Sequence, residues 1–482
     1  MKRDFILNIL FLLIANLLIK PFFIFGIDRS IQNEVGPDAY GTYFALFNFT
    51  LLFQIIIDFG IQNYNNRNIA QHHHLLPKYF SHILLLKAEL SLVYGVVIGI
   101  VGYWVGYGSL FFPMLALMVV NQVLLSFILY LRSNISGLQL FFTDSILSVL
   151  DRVLLIIICG VLLRVNPLQH KFEIEWFVYA QTAAYALTAI TAFILVLRRV
   201  GKVRLRWHKP FQWLLLRDSF PFALTVFLMS VYTRIDGVMI ERLLPNGAQE
   251  AGIYASAYRL LDAANIIGYL FAGLLLPMFA RQLKNGTNVA ELARFGFQAI
   301  WVVSVTAAAG AFCFRYEIMT LLYHGANAYS GDLLGWLMLS FPAVSTMYIY
   351  GSLLTANGNM RAMNILFACS VIVNILLNML WIPQYFALGA AYATLCTQII
   401  VAVTQIGIAK NLFDWRVSLV LPIKSLFFLV LTFIIFYTIK STFPNGNWVF
   451  LLVGGALFTT FIAFLLRLID IIALWNLVKN KK

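Results

Sequence analysis

Apolar residues in this chain are arranged in long uninterrupted runs set apart by short polar turns, not in the amphipathic stripes of a water-soluble core. Fourteen runs can be marked, at roughly 5–27, 40–60, 81–106, 110–131, 145–163, 176–197, 219–242, 252–277, 297–314, 333–355, 362–382, 387–409, 418–438 and 448–472. A helix needs about 20 residues to cross a hydrocarbon core ~30 Å thick, so each run predicts one crossing. Helices satisfy their own backbone polar groups in lipid. The expected fold is therefore an all-α polytopic membrane protein with 14 transmembrane helices. The run after Met1, Lys2 and Arg3 is too long for a signal-peptide core and lacks a small-residue cleavage site, so it reads as the first span.

Composition agrees. Of 482 residues, 61% are hydrophobic and only 11% charged, with a mean hydropathy of +0.85, whereas a soluble domain is about 25% charged. The net charge of +14 would point to nucleic acid in a soluble protein. Here it sorts by membrane face. With the N-terminus inside, the outer loops hold only Arg29, Arg164, Lys171, Arg242, Arg315 and Lys440, and the inner loops hold most of the other basic residues. That asymmetry puts both termini in the cytoplasm. Residues 198–217 carry seven basic side chains and no acid, as expected of a cytoplasmic linker lying on anionic headgroups. Cys159, Cys313, Cys369 and Cys396 have unrelated spacings inside apolar runs and predict neither disulfides nor a metal site.

The chain also repeats itself. A shift of 211 residues lays 34–45 (EVGPDAYGTYFA) over 245–256 (PNGAQEAGIYAS), matching Gly36 to Gly247, Gly41 to Gly252 and Tyr43 to Tyr254. Both stretches join an outward-going helix to its successor, so the repeat is parallel, a known transporter plan. The Gly95, Gly99, Gly102 and Gly106 stripe of the third run predicts close helix packing.

Charges within spans carry the candidate chemistry. Arg234, Asp236, Arg259 and Asp262 lie inside the seventh and eighth runs, where an ionisable group costs about 2.5–3.5 kcal/mol and is by default a functional group. Arg259 and Asp262 have i,i+3 spacing and can pair; Arg234 and Asp236 cannot share a face. Lys20 lies about 22 Å into the first span, in the outer half of the bilayer with Arg234 and Arg259. Asp58, Glu89, Asp151 and Arg152 fall nearer the inner side, and Asp58, Asp151 and Arg152 are candidates for a cytoplasmic gate. Lys87, Lys424 and Arg467 sit where they are able to snorkel. No phosphate-binding loop, nucleophile elbow or zinc-protease motif occurs, and His72, His73 and His74 read as a solvated loop. Neither an enzyme, a cofactor nor a metal is expected.

YTRIDGVMI (232–240), AGIYASAYRLLD (251–262), NILLNMLWIPQYFALGAAYATL (374–395), VGPDAYGTYFALFN (35–48) and DFGIQNYNNRNIA (58–70) together resemble the polysaccharide-transporter branch of the MOP (MATE/MurJ-like) superfamily, the Wzx-type flippases of lipid-linked oligosaccharides. The resemblance implies two six-helix lobes around a central cavity, alternating access, and two additional C-terminal helices that help form a groove for a lipid tail. The corresponding division is an N-lobe at 1–197, the basic linker at 198–217, a C-lobe at 218–410, and the last two spans with a cytoplasmic tail at 411–482. The expected function is translocation of an undecaprenyl-diphosphate-linked oligosaccharide across the bacterial inner membrane for lipopolysaccharide O-antigen or a related surface polymer. Lys20, Arg234 and Arg259 would contact the head group, and Asp236 and Asp262 would support those cations or couple transport to an ion. Expected partners are the lipid-linked substrate, membrane lipids and the polymerase and ligase machinery, with no nucleic acid. The alternative is a MATE-like exporter of a soluble compound, coupled to H⁺ or Na⁺.

Overall fold

The structure, a computed structural model, describes residues 14–468 apart from 63–64, 67–68, 70–75, 109–110, 166–171, 201–208 and 416–419. Every element among the described residues is a helix, and 13 helical stretches are long and apolar enough to cross a membrane. The difference from fourteen arises at the start of the chain. Ile14–Asp58 is a single stretch of 45 residues, about 68 Å long if it were straight and so more than twice a hydrocarbon core. It holds a π-helical turn, Phe23–Asp28, and then α1 (Arg29–Leu52), in which Gly36 has φ 79° and ψ 169°. That conformation suits glycine, and Pro37 restarts the helix where its missing N–H is no loss. The Tyr40 hydroxyl lies 2.9 Å from both carboxylate oxygens of Asp28, twelve residues earlier, a separation of ~18 Å along a straight helix. The chain therefore folds back at Gly36, and this stretch holds the described part of the first predicted span together with most of the second.

The described chain packs as two compact units, residues 1–252 and 253–482. The first continues through α2 (Ile55–Asp58), α3 (Leu76–Val105), α4 (Phe112–Gly137), α5 (Phe141–Val165), α6 (Ile174–Val200) and α7 (Lys209–Leu243). α1 packs along α7, α4 along α6, and α5 against α6. Phe80, Ile83, Tyr130, Leu131, Ala192 and Val196 form part of its buried core. Of the glycine stripe, Gly102 meets a close neighbour, with room for a methyl group only 3.0 Å from Leu115, whereas Gly99 faces open space. The latter part of the basic segment, from Lys209, enters α7. Residues 201–208 of that segment and His72–His74 lie outside the described residues.

Helix α8 (Gly247–Lys284) begins in the first unit and continues into the second. The second unit adds α9 (Ala290–Cys313), α10 (Arg315–Leu322), α11 (Ala328–Leu339), α12 (Phe341–Ala356), α13 (Met360–Tyr385), α14 (Ala387–Leu412), α15 (Val420–Thr442) and α16 (Trp448–Leu465). α9 is its centre, in contact with α11, α12, α15 and α16. α11 starts with a capping box between Asn327 and Ser330, and Ser340 and Pro342 divide α11 from α12 within one crossing. α13 and α14 pack together around the single linking residue Phe386. Gly389 makes their turn tight: a methyl group there would overlap the Trp381 carbonyl. The four cysteines are unpaired.

Candidate functional site

In the first unit the charges inside the spans gather into two groups. Lys20, one helical turn before Phe23, is within electrostatic reach of Arg152, Asp151 and Arg132. The Arg152 guanidinium stands 5.1 Å from the centre of the Phe23 ring and 3.5 Å from the Asp151 carboxylate. Arg132 forks onto Asp144 through Nε and Nη2, at 2.8 and 3.3 Å. Lys20 and Arg152 are thus neighbours in the first unit, although hydropathy placed Lys20 in the outer half of the bilayer and Arg152 near the inner side.

The second group is built around Lys87. Its ammonium donates to Asp58 at 3.0 Å, to the Ser126 hydroxyl at 2.6 Å and to the Ser126 carbonyl at 3.3 Å. The lysine is 3% exposed, so it is a buried partner of Asp58 and does not snorkel. Asp58 ends α2, and the next two residues, Phe59 and Gly60, take φ values of 47° and 78°. The ion pair thus anchors the chain where the second span breaks. Lys424, also expected to snorkel, donates to the Leu466 carbonyl at 3.2 Å.

Asp28 was not singled out by the sequence, because the hydropathy run ends at 27. It is 1% exposed and is held by Tyr40 and by the Gln32 amide at 3.2 Å. On α7, Arg234 is half-buried and Asp236 is buried; both are engaged in polar interactions.

In the second unit, Arg259 Nη1 lies 3.6 Å from Asp262 Oδ2, the i,i+3 pairing that the spacing allows. A band of uncharged polar residues, also missed, crosses α13 and α14. Asn374 and Asn378 are wholly buried, with the Asn378 amide donating to Asn374 at 3.1 Å. Thr397 Oγ1, Gln398 Oε1 and Gln405 Oε1 are buried without a hydrogen-bond partner among the described residues. A signal was present, since Asn374 and Asn378, like Thr394 and Gln398, are four apart and share a helix face, but a search for charges passes over it. Beside α9, α15 and α16 lies an apolar groove of about 460 Å³, lined among others by Val302, Thr306, Ala307, Phe436, Leu452 and Thr460. No group of metal-ligating residues occurs among the described residues.

Comparison with known proteins gives a family for the sequence and relatives for the fold. A sequence model of the family described as "Polysaccharide biosynthesis protein" matches residues 6–283, more than half of the chain. No protein among the curated ones matches it. The fold is similar to that of the lipid II flippase MurJ in an inward closed conformation, with a TM-score of 0.69, 14% identity, and 96% of this chain and 97% of that one covered. It is also similar to an inward-facing multidrug resistance MATE family transporter of the MOP superfamily, with a TM-score of 0.63, 15% identity, and 83% and 98% covered. A MOP superfamily transporter from Pyrococcus furiosus gives a TM-score of 0.59 at 16% identity, with 84% and 95% covered. At these identities the likeness is one of fold.

Proposed function

The chain belongs to the polysaccharide biosynthesis protein family, in the polysaccharide-transporter branch of the MOP superfamily, and on that premise we propose that it is a flippase for an undecaprenyl-diphosphate-linked oligosaccharide. It carries this molecule from the inner to the outer leaflet of the bacterial cytoplasmic membrane for surface-polysaccharide assembly. The observation that carries this reading is the gathering of Lys20, Arg132 and Arg152, three fixed cations within electrostatic reach of one another inside the apolar spans of the first unit. Fixed cations gathered inside apolar spans suit a dense anion. A polyprenyl diphosphate presents that charge, and the planar guanidinium donates to phosphate in pairs.

In this mechanism Lys20, Arg234 and Arg259 contact the diphosphate or sugar, and Asp236 and Asp262 hold the cations between cargoes. Asp58, Asp151 and Arg152 form the inner gate. The lobes are residues 1–197 and 218–410, joined by the basic linker and followed by the last two spans, with both termini in the cytoplasm. The apolar groove of the second unit accepts the polyprenyl tail, in keeping with its oily lining. No bond is made or broken, so the protein is not an enzyme, and polymerases or ligases act on what it delivers.

Buried Asp28 favours the second reading, a MATE-like exporter coupled to H⁺ or Na⁺, because such coupling uses a deep carboxylate. The two separate in reconstituted vesicles. A flippase moves a fluorescent undecaprenyl-diphosphate-sugar between leaflets; an exporter leaves it in place and drives efflux of a soluble organic cation when a proton or sodium gradient is imposed.

A further inference from the structure

One end of the second unit carries a wall of aromatic rings closed on a carboxylate. On α11, Gly331 and Gly335 lie four apart on one face, and Asp332 and Trp336 lie four apart on the next. The glycines are seats: a methyl group on Gly331 would overlap the Tyr316 ring, and one on Gly335 would come within 2.8 Å of Arg315 Cδ. Arg315 and Tyr316, at the start of α10, are thereby pressed against Asp332. Arg315 Nε donates to Asp332 Oδ1 at 2.9 Å, and the Tyr316 hydroxyl donates to the same oxygen at 2.8 Å. Asp332 Oδ2 makes no hydrogen bond among the described residues, on a side chain that is 36% exposed.

Trp336 continues the wall. Its ring stands edge-on to Tyr392 of α14, with centres 4.9 Å apart at 86°. Trp381 and Tyr385, four apart on α13, meet the same tyrosine at 6.4 and 5.8 Å. Tyr392 is also within electrostatic reach of Asp332, so rings and carboxylate form one cluster drawn from three helices. Trp336, Trp381 and Tyr392 are half-buried and Tyr385 is exposed. Their two indole N–H groups and two phenol hydroxyls make no hydrogen bond among the described residues, although such groups usually find a partner when buried. Next in the chain, Phe386 holds an exposed ring on a strained backbone, φ 56° and ψ −138°, and strain of this kind gathers at ligand sites. A belt of interfacial aromatics needs rings alone; it does not call for a carboxylate with one oxygen clamped and the other left open.

We propose that this wall binds a sugar ring of the transported glycan. A pyranose has a face of C–H groups, which packs on the electron-rich face of an aromatic ring. Its rim of hydroxyls takes up the open indole and phenol groups and Asp332 Oδ2. Because Arg315 offsets the Asp332 charge, the ring it suits is a neutral one. By the distribution of basic residues this end of the unit faces outward, where a flippase delivers its cargo. The proposal rests on the flippase reading for the arrival of a glycan, and it adds a second contact, to sugar, apart from the cations that meet the diphosphate.

Saturation-transfer NMR of the full chain in lipid nanodiscs, free of glucoside detergent, reads binding without transport. The probes are the methyl glycosides of glucose, galactose, mannose and N-acetylglucosamine, with sorbitol as an open-chain control. Saturation of the aromatic protons is expected to reach the ring C–H protons of at least one glycoside and none of sorbitol. Tyr385→Ser with Phe386→Gly, both at the exposed turn, is expected to weaken that binding about tenfold in protein that remains folded, and Asp332→Asn to weaken it as well. Transfer to no glycoside overturns the proposal, and so does transfer undiminished in the double variant. A parent that binds sugar yet flips no fluorescent undecaprenyl-diphosphate-sugar overturns the flippase reading and leaves the wall standing. A parent that flips it while binding no glycoside overturns the wall alone.

Discussion

Lys87 shows how a single side chain departs from what its position in the sequence implies. It occurs early in an apolar run, where a long cation normally reaches back to the interface, yet its ammonium is buried against Asp58 and Ser126. Removing one member of a buried pair leaves the other uncompensated. Lys87→Met is therefore expected to cost about 2–3 kcal/mol, less than for a wholly enclosed pair, because the Asp58 side chain is 25% exposed. Thermal unfolding in detergent checks this, and Lys87→Met combined with Asp58→Leu should recover most of the loss. Charged residues were easy to find in the sequence; their partners were not. Arg259 and Asp262 pair as their spacing allows because one helix turn fixes them. Lys20 comes within electrostatic reach of Arg152 on another helix, and Asp58 at the end of α2 meets Lys87 on α3, neither of which residue spacing encodes. Asp28 escaped because a hydropathy window cannot register a carboxylate whose charge is met by a tyrosine twelve residues on.

Elements were more legible than contacts, because twenty apolar residues have few fates other than a membrane helix. What the pattern could not give was local geometry. The fold-back at Gly36 shows only as a Gly-Pro pair, and the π-helical turn Phe23–Asp28 leaves no mark in periodicity. At the α13–α14 turn, Phe386 adopts φ 56° and ψ −138°, a region that costs a non-glycine residue roughly 1–3 kcal/mol. Its ring is 50% exposed, so little packing repays that cost. Phe386→Gly is expected to raise stability by about 1 kcal/mol, seen as a higher unfolding midpoint; a fall would mean that the ring makes a contact worth more than the strain. The groove beside α9 yields a prediction of its own. Ala307→Phe fills it, and if the groove holds the polyprenyl tail, flipping of an undecaprenyl substrate drops about tenfold, or ~1.4 kcal/mol. A short-chain prenyl analogue should be moved at the parent rate. Equal loss for both would mean that the substitution acts on the fold.

At the scale of the whole molecule, the internal repeat was the most informative feature of the sequence. One of the matched glycine pairs, Gly41 and Gly252, packs backbone to backbone within the first unit, and the fold resembles MurJ over 96% of the chain. The sequence pattern and the family match agree on a multi-pass membrane protein of the polysaccharide biosynthesis protein family. On the proposal that both ends lie in the cytoplasm, drawn from the distribution of basic residues, a reporter active only inside the cell is expected to work at either terminus, and one active only outside at neither. The central claim is that cations within the spans carry a diphosphate head group. It is tested most directly by flipping of a fluorescent undecaprenyl-diphosphate-sugar in proteoliposomes by the parent protein, Arg234→Ala and Arg259→Ala, each first shown to be folded. The account predicts a loss of about tenfold or more, ~1.4 kcal/mol, in each variant, with partial recovery in Arg259→Lys. Parent-like flipping in both alanine variants would contradict it.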